Sequence, residues 1–503
     1  MVSNNTKVKT AELTKKLQDD FGAPFDLKAR EFTVAGKHPA VVYFIDTIAG
    51  GQRVSFEILL PLVKIQPSPK GDIVDVVTKE LVHICSFEVK ETYEDATKEL
   101  LNGKSIMVIE GQEGVYISLD TTIMPGRGVA EPPTNSVVMG PREGFTENLV
   151  MNIGLVRKRL KTPDLTFTNE IVGKYSNTNI TIMYIKSIAD QKIVDRVIER
   201  IKSIEIDGIL DSFYVMQYLQ SEALNIFRQV GSAEKPDIIA SKLLEGRVAI
   251  FVDGSPIVLT VPYIILEDLQ AADDYYTNNT IVTLRRVIRL FGVVLAIVLP
   301  GLYLSLQLYH YNIVPLNTLF MITNSIENTP FSPMMELLII LVLFEIMYEA
   351  SLRMPRHLGA ATSLVAALVL GGAAVEAGLL SAPAVLVVAL AMITMYILPS
   401  LAPQISLLRF AFLVAAGILG LYGIVMLGIM LVIYLCSLEN FDTPIMAPFA
   451  PHVAGDDKDA IIMANIKDRT KRPGSIPNCN KTRAQGTPGG GMAPREKGGN
   501  KKS

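Results

Sequence analysis

The sequence predicts an α/β N-terminal soluble domain of two similar subdomains, followed by an all-α multi-span membrane domain and a disordered basic tail. Three observations carry this. Composition shifts twice along the 503 residues: mixed and charged up to about Arg289, mostly apolar to Cys436, polar and basic after Asp456. The N-terminal half resembles itself at an offset of about 140 residues. The apolar part holds runs near the length that crosses about 30 Å of hydrocarbon. The expected boundaries are an arm at 1–24, subdomains at 25–148 and 149–270, a membrane domain at 282–440 and the tail at 456–503.

The elements follow in order. Residues 1–24 read as a flexible arm, either a solvated helix or frayed chain. Ala40–Asp46 is β-branched and aromatic and reads as a buried strand. Phe56–Val63 fits either a helix or a strand, and Val74–Leu81 and Ala96–Leu101 fit helices. Ser105–Glu110 and Val115–Leu119 flank a glycine turn and form a hairpin. Leu100–Lys104 and the strand after it resemble Leu243–Arg247 and its strand, Val248–Asp253. Val42–Ala49 resembles Met183–Ala189. Between the halves, Thr146 is placed to cap a helix through Leu149, Ile153, Val156 and Leu160. Ile193–Ile204 carries an amphipathic helical pattern. The aspartates around Gly208 lack the ligand spacing of a calcium loop and read as a turn with a helix cap.

Five apolar segments lie near 288–309, 334–350, 361–380, 384–400 and 410–436, and Pro300 is expected to kink or break the first. Arg285, Arg286, Arg289, Arg353, Arg356 and Arg409 fall on one side by the positive-inside rule, which is then the side of the N-terminal domain. Five crossings send the tail to the opposite side; a re-entrant 334–350 or 384–400 restores an even number, and the sequence leaves both open. No apolar leader opens the chain, so insertion is expected to use the internal spans. From Pro473 the tail is rich in Gly, Pro, Asn and Lys and is expected to be disordered.

Chemistry-bearing motifs are few. There is no phosphate loop, no HExxH, no GxSxG and no cysteine–histidine metal spacing, so neither an enzyme nor a cofactor is expected. Cys85, Cys436 and Cys479 are too scattered for a disulfide framework. A formal net charge of −3 singles out no partner, and nothing points to nucleic acid. What stands out is four glutamates within apolar runs, Glu336, Glu345, Glu349 and Glu376, because an ionisable group in a bilayer is costly and usually functional. Glu345 and Glu349 share a helix face. A structural reading covers three of the four: Glu336 at an interface, Glu349 paired with Arg353, Glu376 near a span end. Glu345 lies deepest. With the small residues Gly371 and Gly372, which allow helices to approach closely, these glutamates are the candidate ion path. Arg142, Glu143, Arg157 and Arg159 are candidates for an interdomain or partner contact, against the alternative that the cations merely suit a helix C-terminus.

Several stretches together resemble the A subunit of the spore germinant receptors, the GerA family of spore germination proteins. They are Ser136–Leu149 (SVVMGPREGFTENL), Ile206–Ser212 (IDGILDS), Leu244–Pro256 (LEGRVAIFVDGSP), Asp274–Tyr276, Pro330–Pro333 (PFSP) and Ala373–Leu379 (AAVEAGL). The resemblance covers about residues 25–452, and the four glutamates fall on acidic positions of the family pattern. His357, Ala360, Gly372 and Leu401-Ala402-Pro403 depart from it. It implies a multi-pass protein of the spore inner membrane, with the N-terminal domain on the core side. It also implies a transporter-like B subunit and a lipoprotein C subunit as partners, contact with membrane lipid, and self-association into a nutrient-gated cation channel. A membrane-anchored signalling scaffold, or a regulatory transporter subunit without its own pore, remains the alternative.

Overall fold

The computed structural model describes residues 10–22, 24–34, 38–64, 73–77, 86–112, 114–122, 140–221, 225–327, 329–353 and 372–483. Gly371 and most of the segment expected at 361–380 therefore lie outside the described residues.

The first subdomain runs through α1 (Thr10–Phe21), β1 (Leu27–Val34), β2 (His38–Ile45), a continuous helical run from Gly51 to Lys64, β3 (Phe87–Lys90), α2 (Tyr93–Leu101), β4 (Ser105–Ile109) and β5 (Tyr116–Leu119). Its sheet is antiparallel, in the order β1-β2-β4-β5-β3. The second subdomain repeats it as α3 (Leu149–Arg159), β6 (Leu165–Val172), β7 (Thr178–Ile185), α4 (Gln191–Lys202), α5 (Ser212–Leu219), β8 (Gly231–Ala233), α6 (Pro236–Glu245), β9 (Val248–Val252) and β10 (Val258–Val261). Its sheet has the matching order β6-β7-β9-β10-β8. Because strand side chains alternate, β7 sends Ile180, Ile182 and Tyr184 into one apolar layer and Met183 and Ile185 into the other. The sheet is thus covered on both faces.

The repeat starts earlier than residue 25. The expected flexible arm is instead helix α1 from Thr10, with Leu13, Leu17 and Phe21 buried in the core of the first subdomain. It stands where α3 stands in the second copy. The cap of α3 is Asn148, whose side chain accepts from Met151 N at 2.9 Å, and not Thr146. Thr146 holds buried Asn152 instead.

The helical part comprises α7 (Asn279–Leu308), α8 (Leu316–Ile326), α9 (Pro333–Arg353), α10 (Ala382–Met395) and α11 (Ala402–Ser437). Among the described residues, two stretches are long and apolar enough to cross a membrane, Asn279–Leu308 and Pro399–Ser437. Helix α7 stays one helix of 30 residues through Pro300, so of the kink or break expected there the break does not occur. The break is in α11, at Gly420 (φ 63°, ψ −143°). A Cβ built on Gly423 would lie 2.3 Å from the Ala415 carbonyl, so the chain doubles back there. The expected fifth apolar run is a helical hairpin, 402–419 out and 421–437 back. Tyr309 at the end of α7 donates to the carbonyls of Gly417 (2.8 Å) and Ile418 (3.2 Å), which the break releases from the helical ladder.

Beyond Ser437 the chain returns to the second subdomain. A two-residue hairpin turn puts Phe441 into that subdomain's core and lets Asn440 Nδ2 donate to the carbonyls of Leu219 (3.1 Å) and Gln229 (3.0 Å). Cys479 N donates to Ile188 O at 2.8 Å, and Arg472 Nε to Leu244 O at 2.7 Å. The expectation of a disordered tail from 456 therefore fails for residues 456–483, which pack on the α/β domain. Residues 484–503 lie outside the described residues. Tail and N-terminal domain share one side of the helical part.

Candidate functional site

The four glutamates are not gathered in one place. Glu336, near the start of α9, is buried, and its carboxylate accepts a hydrogen bond from Ser381 N at the start of α10. A carboxylate there satisfies an orphan N–H and meets the positive end of the helix dipole. Glu349 is exposed and pairs with Arg353 one turn on, at 2.6 Å. Glu376 is exposed, as is Gly372, whose added Cβ would meet nothing within 4 Å. Close helix approach occurs elsewhere in the described bundle. A Cβ on Gly301 would lie 3.0 Å from Phe412 O and 3.3 Å from Ala416 Cβ.

Glu345 is half-buried on α9 and faces two ways. Outward, with Val342, Ile346, Glu349 and Phe410, it lines a groove of about 340 Å³. Inward, its Oε2 accepts from Ser406 Oγ at 3.0 Å. Ser406 Oγ in turn accepts from Arg409 Nη2 at 3.2 Å. Arg409 is fully buried within α11, and its guanidinium rests on the sulfurs of Met392 and Met395. It is therefore not the loop arginine that the positive-inside argument assumed.

A second polar centre joins the soluble and helical parts. Asp274, fully buried, accepts from Arg286 Nε at 3.1 Å and from both terminal nitrogens of Arg289 at 2.7 and 2.9 Å. Arg286 Nη1 also donates to the carbonyl (2.8 Å) and carboxylate (3.1 Å) of Asp459 and to Ala460 O (2.6 Å). One guanidinium thus binds the segment before α7 to the tail. Next to it, Glu267 accepts from Arg247 and Lys242. Burial alone would raise its pKa, but those two cations outweigh burial and hold it down at about 2.

Of the four residues proposed for an interdomain or partner contact, Arg157 lies between the subdomains. It is buried and paired with Asp26, Nε to Oδ2 and Nη2 to Oδ1, each at 3.0 Å. Close packing on the first subdomain accompanies it: a Cβ on Gly154 would come within 2.5 Å of Thr47 O. Glu143 pairs with Arg159 at 2.7 Å. Its burial favours the neutral acid, yet the hydrogen bond and charge of Arg159 hold its pKa below the usual range. Arg142 is exposed.

A family model described as Bacillus/Clostridium GerA spore germination protein matches residues 15–475. The chain belongs to the GerA family of spore germination proteins. Spore germination protein KA of Bacillus subtilis (strain 168) is 34% identical to it over 475 residues, covering 93% of this chain and 86% of that one. Spore germination protein GerLA of Bacillus cereus is 30% identical, over 91% and 94% respectively. The uncharacterized membrane protein YfkQ of Bacillus subtilis (strain 168) is 31% identical, over 95% and 96%. Among solved structures, the N-terminal domain of the A subunit of the Bacillus megaterium spore germinant receptor GerK3 aligns with 52% of this chain and 96% of that chain. The alignment has 25% identity and a TM-score of 0.39.

For this GerA family member, sequence reasoning missed Ser406, Asp274, Arg286 and Asp459 as parts of polar centres. Arg409 was read as a loop charge. A signal was present for one of them: Arg409 is followed at once by a long apolar run, where an arginine needs a partner within the bundle.

Proposed function

We propose that the chain is the A subunit of a nutrient germinant receptor in the spore inner membrane, where it couples nutrient detection to germination by assembling into a gated cation channel. One observation carries the channel reading: Glu345 stands inside an apolar helix and lines an outward-opening groove. A carboxylate there favours cations, and a groove on the outside of one bundle becomes a path only when a further copy closes it. Membership of the GerA family supports the receptor role. Transporter-like and lipoprotein subunits are the partners this reading assigns, with the α/β domain on the core side.

A crossing count is consistent with this. If the segment expected at 361–380 crosses as the sequence reading has it, it brings the passes of α7, α9, α10 and the two halves of α11 to an even number, which agrees with the tail lying on the domain's side. At 1.5 Å per residue each half of α11 spans about 25 Å, enough for a slightly thinned bilayer.

Purified and reconstituted in vesicles loaded with potassium ion, the chain is expected to release it. Glu345→Gln is expected to alter the flux while leaving the assembly's size in mild detergent unchanged. Unaltered flux in that variant returns Glu345 to a structural role. If neither the chain nor any variant conducts, while spores carrying it still answer nutrient through an intact α/β domain, the scaffold reading replaces the channel.

A further inference from the structure

The Glu345 groove has a feature that an ion path does not require: a buried arginine on its inner side. Placing a guanidinium inside an apolar bundle is costly unless its charge is offset nearby. Arg409 is 0% exposed, and its Nε has no hydrogen-bond partner among the described residues. Its terminal nitrogens meet two thioether sulfurs and one hydroxyl. Thioethers are weak acceptors and bring no negative charge. The carboxylate next in line is Glu345, one hydroxyl away: Arg409 Nη2 to Ser406 Oγ is 3.2 Å, and Ser406 Oγ to Glu345 Oε2 is 3.0 Å. The relay has one polarity. The guanidinium donates to the serine oxygen, so the serine proton points at the carboxylate.

We propose that Arg409 is the internal counter-ion that keeps the Glu345 path closed, with Ser406 as the link. This inference rests on the channel reading and names the regulation of that same site. Glu345 belongs to α9; Ser406 and Arg409 belong to α11. A small slide of one helix on the other therefore breaks the relay. While it holds, the positive charge behind Glu345 offsets the carboxylate, and a cation in the groove gains little. Once it opens, an uncompensated carboxylate faces the groove beside Glu349, and the groove becomes attractive to a monovalent cation. The partly satisfied guanidinium fits a contact built to be broken, because a fully bonded buried arginine would resist opening. Arg409 acts through Glu345 and is a positioning residue for the path.

The test uses the full chain in potassium-loaded vesicles, with Arg409→Met, Arg409→Lys and the double variant Glu345→Gln/Arg409→Met. Arg409→Met is expected to release potassium about tenfold faster than the unaltered chain, since removing one partner of a buried pair leaves the other uncompensated. Arg409→Lys keeps the charge and is expected to stay near the unaltered rate. The double variant removes the uncompensated carboxylate and is expected to fall back toward it. The gate is overturned if Arg409→Met leaks no faster than an unaltered chain whose own flux responds to Glu345→Gln; the channel reading then stands. If nothing conducts, the channel reading falls and takes the gate with it. Should Arg409→Met fail to accumulate, the double variant decides: restored accumulation supports the pairing, and no recovery overturns it.

Discussion

Asp274 holds two arginines, Arg286 and Arg289, with no exposure of its own to water. Removing one partner of a buried ionic contact costs about 3–5 kcal/mol, mostly because the survivors keep their charge in a poor solvent. Asp274→Ala is therefore expected to lower the unfolding free energy by roughly that amount. Thermal unfolding in detergent measures it, with Arg285→Ala, an exposed neighbour, as the silent control. Glu267 gives a pH signature. Its folded pKa is depressed to about 2, below that of the unfolded carboxyl. Its stabilising contribution is complete above the unfolded value of about 4.3 and is lost as pH falls toward 2. Glu267→Gln is expected to flatten that part of the acid melting curve, read by circular dichroism between pH 5 and 2. Neither residue was legible in the sequence. Each lies in ordinary charged context, and its partners come from other elements a dozen or more residues away. The inner strands were legible, because their apolar, β-branched runs carry their own signal, whereas the edge strands β1, β3, β6 and β8 do not and were not read.

Among elements, the reversal in α11 and the hairpin after it are the least regular. Gly420 has a φ of 63° with ψ near −143°, a region that residues with a side chain rarely enter, and an added Cβ would meet Tyr309 and His310 at 3.1 Å. Gly420→Ala is expected to cost about 1–3 kcal/mol and to loosen the packing of the tail. Limited proteolysis between 438 and 483 reads the second effect. The hairpin turns on Phe441 (φ 51°) and Asp442 (φ 56°), neither of them glycine. Such a conformation persists where surrounding contacts over-determine it. Here the Phe441 ring is buried under the Arg200 guanidinium at 4.4 Å, and Asp442 pairs with Arg196 at 2.7 Å. Phe441→Ala is expected to cost about 3–5 kcal/mol, measured by denaturant unfolding of the full chain. Apolar periodicity shows that 410–436 is helical and is blind to a change of direction inside it. Pro300 does not break α7, because a helix packed on its neighbours tolerates a proline that would break an isolated one. The burial of α1 was missed because three apolar positions among many charges look like a solvated helix or arm.

At the scale of the whole molecule, the tail closes a loop from the second subdomain through the helices and back. Its own small core joins Ile264 and Leu266 to Ala447, Ala460 and Ile476, and Asp456 accepts from Gly474 N and Ser475 N at 2.8 Å each. The composition of this stretch predicted disorder because it is held by backbone carbonyls and arginines, not by an apolar pattern of its own. Ending the chain after residue 455 removes both Asp459 and Ala460 from Arg286. The expected result is a melting temperature lower by several degrees and a protease-sensitive start to α7, with secondary structure in the α/β domain retained. The return of Phe441 to the second subdomain has a consequence for synthesis. The last piece of that core leaves the ribosome only after all the helices from Asn279 to Ser437 have been made, so the second subdomain stays one aromatic side chain short of its finished packing until then.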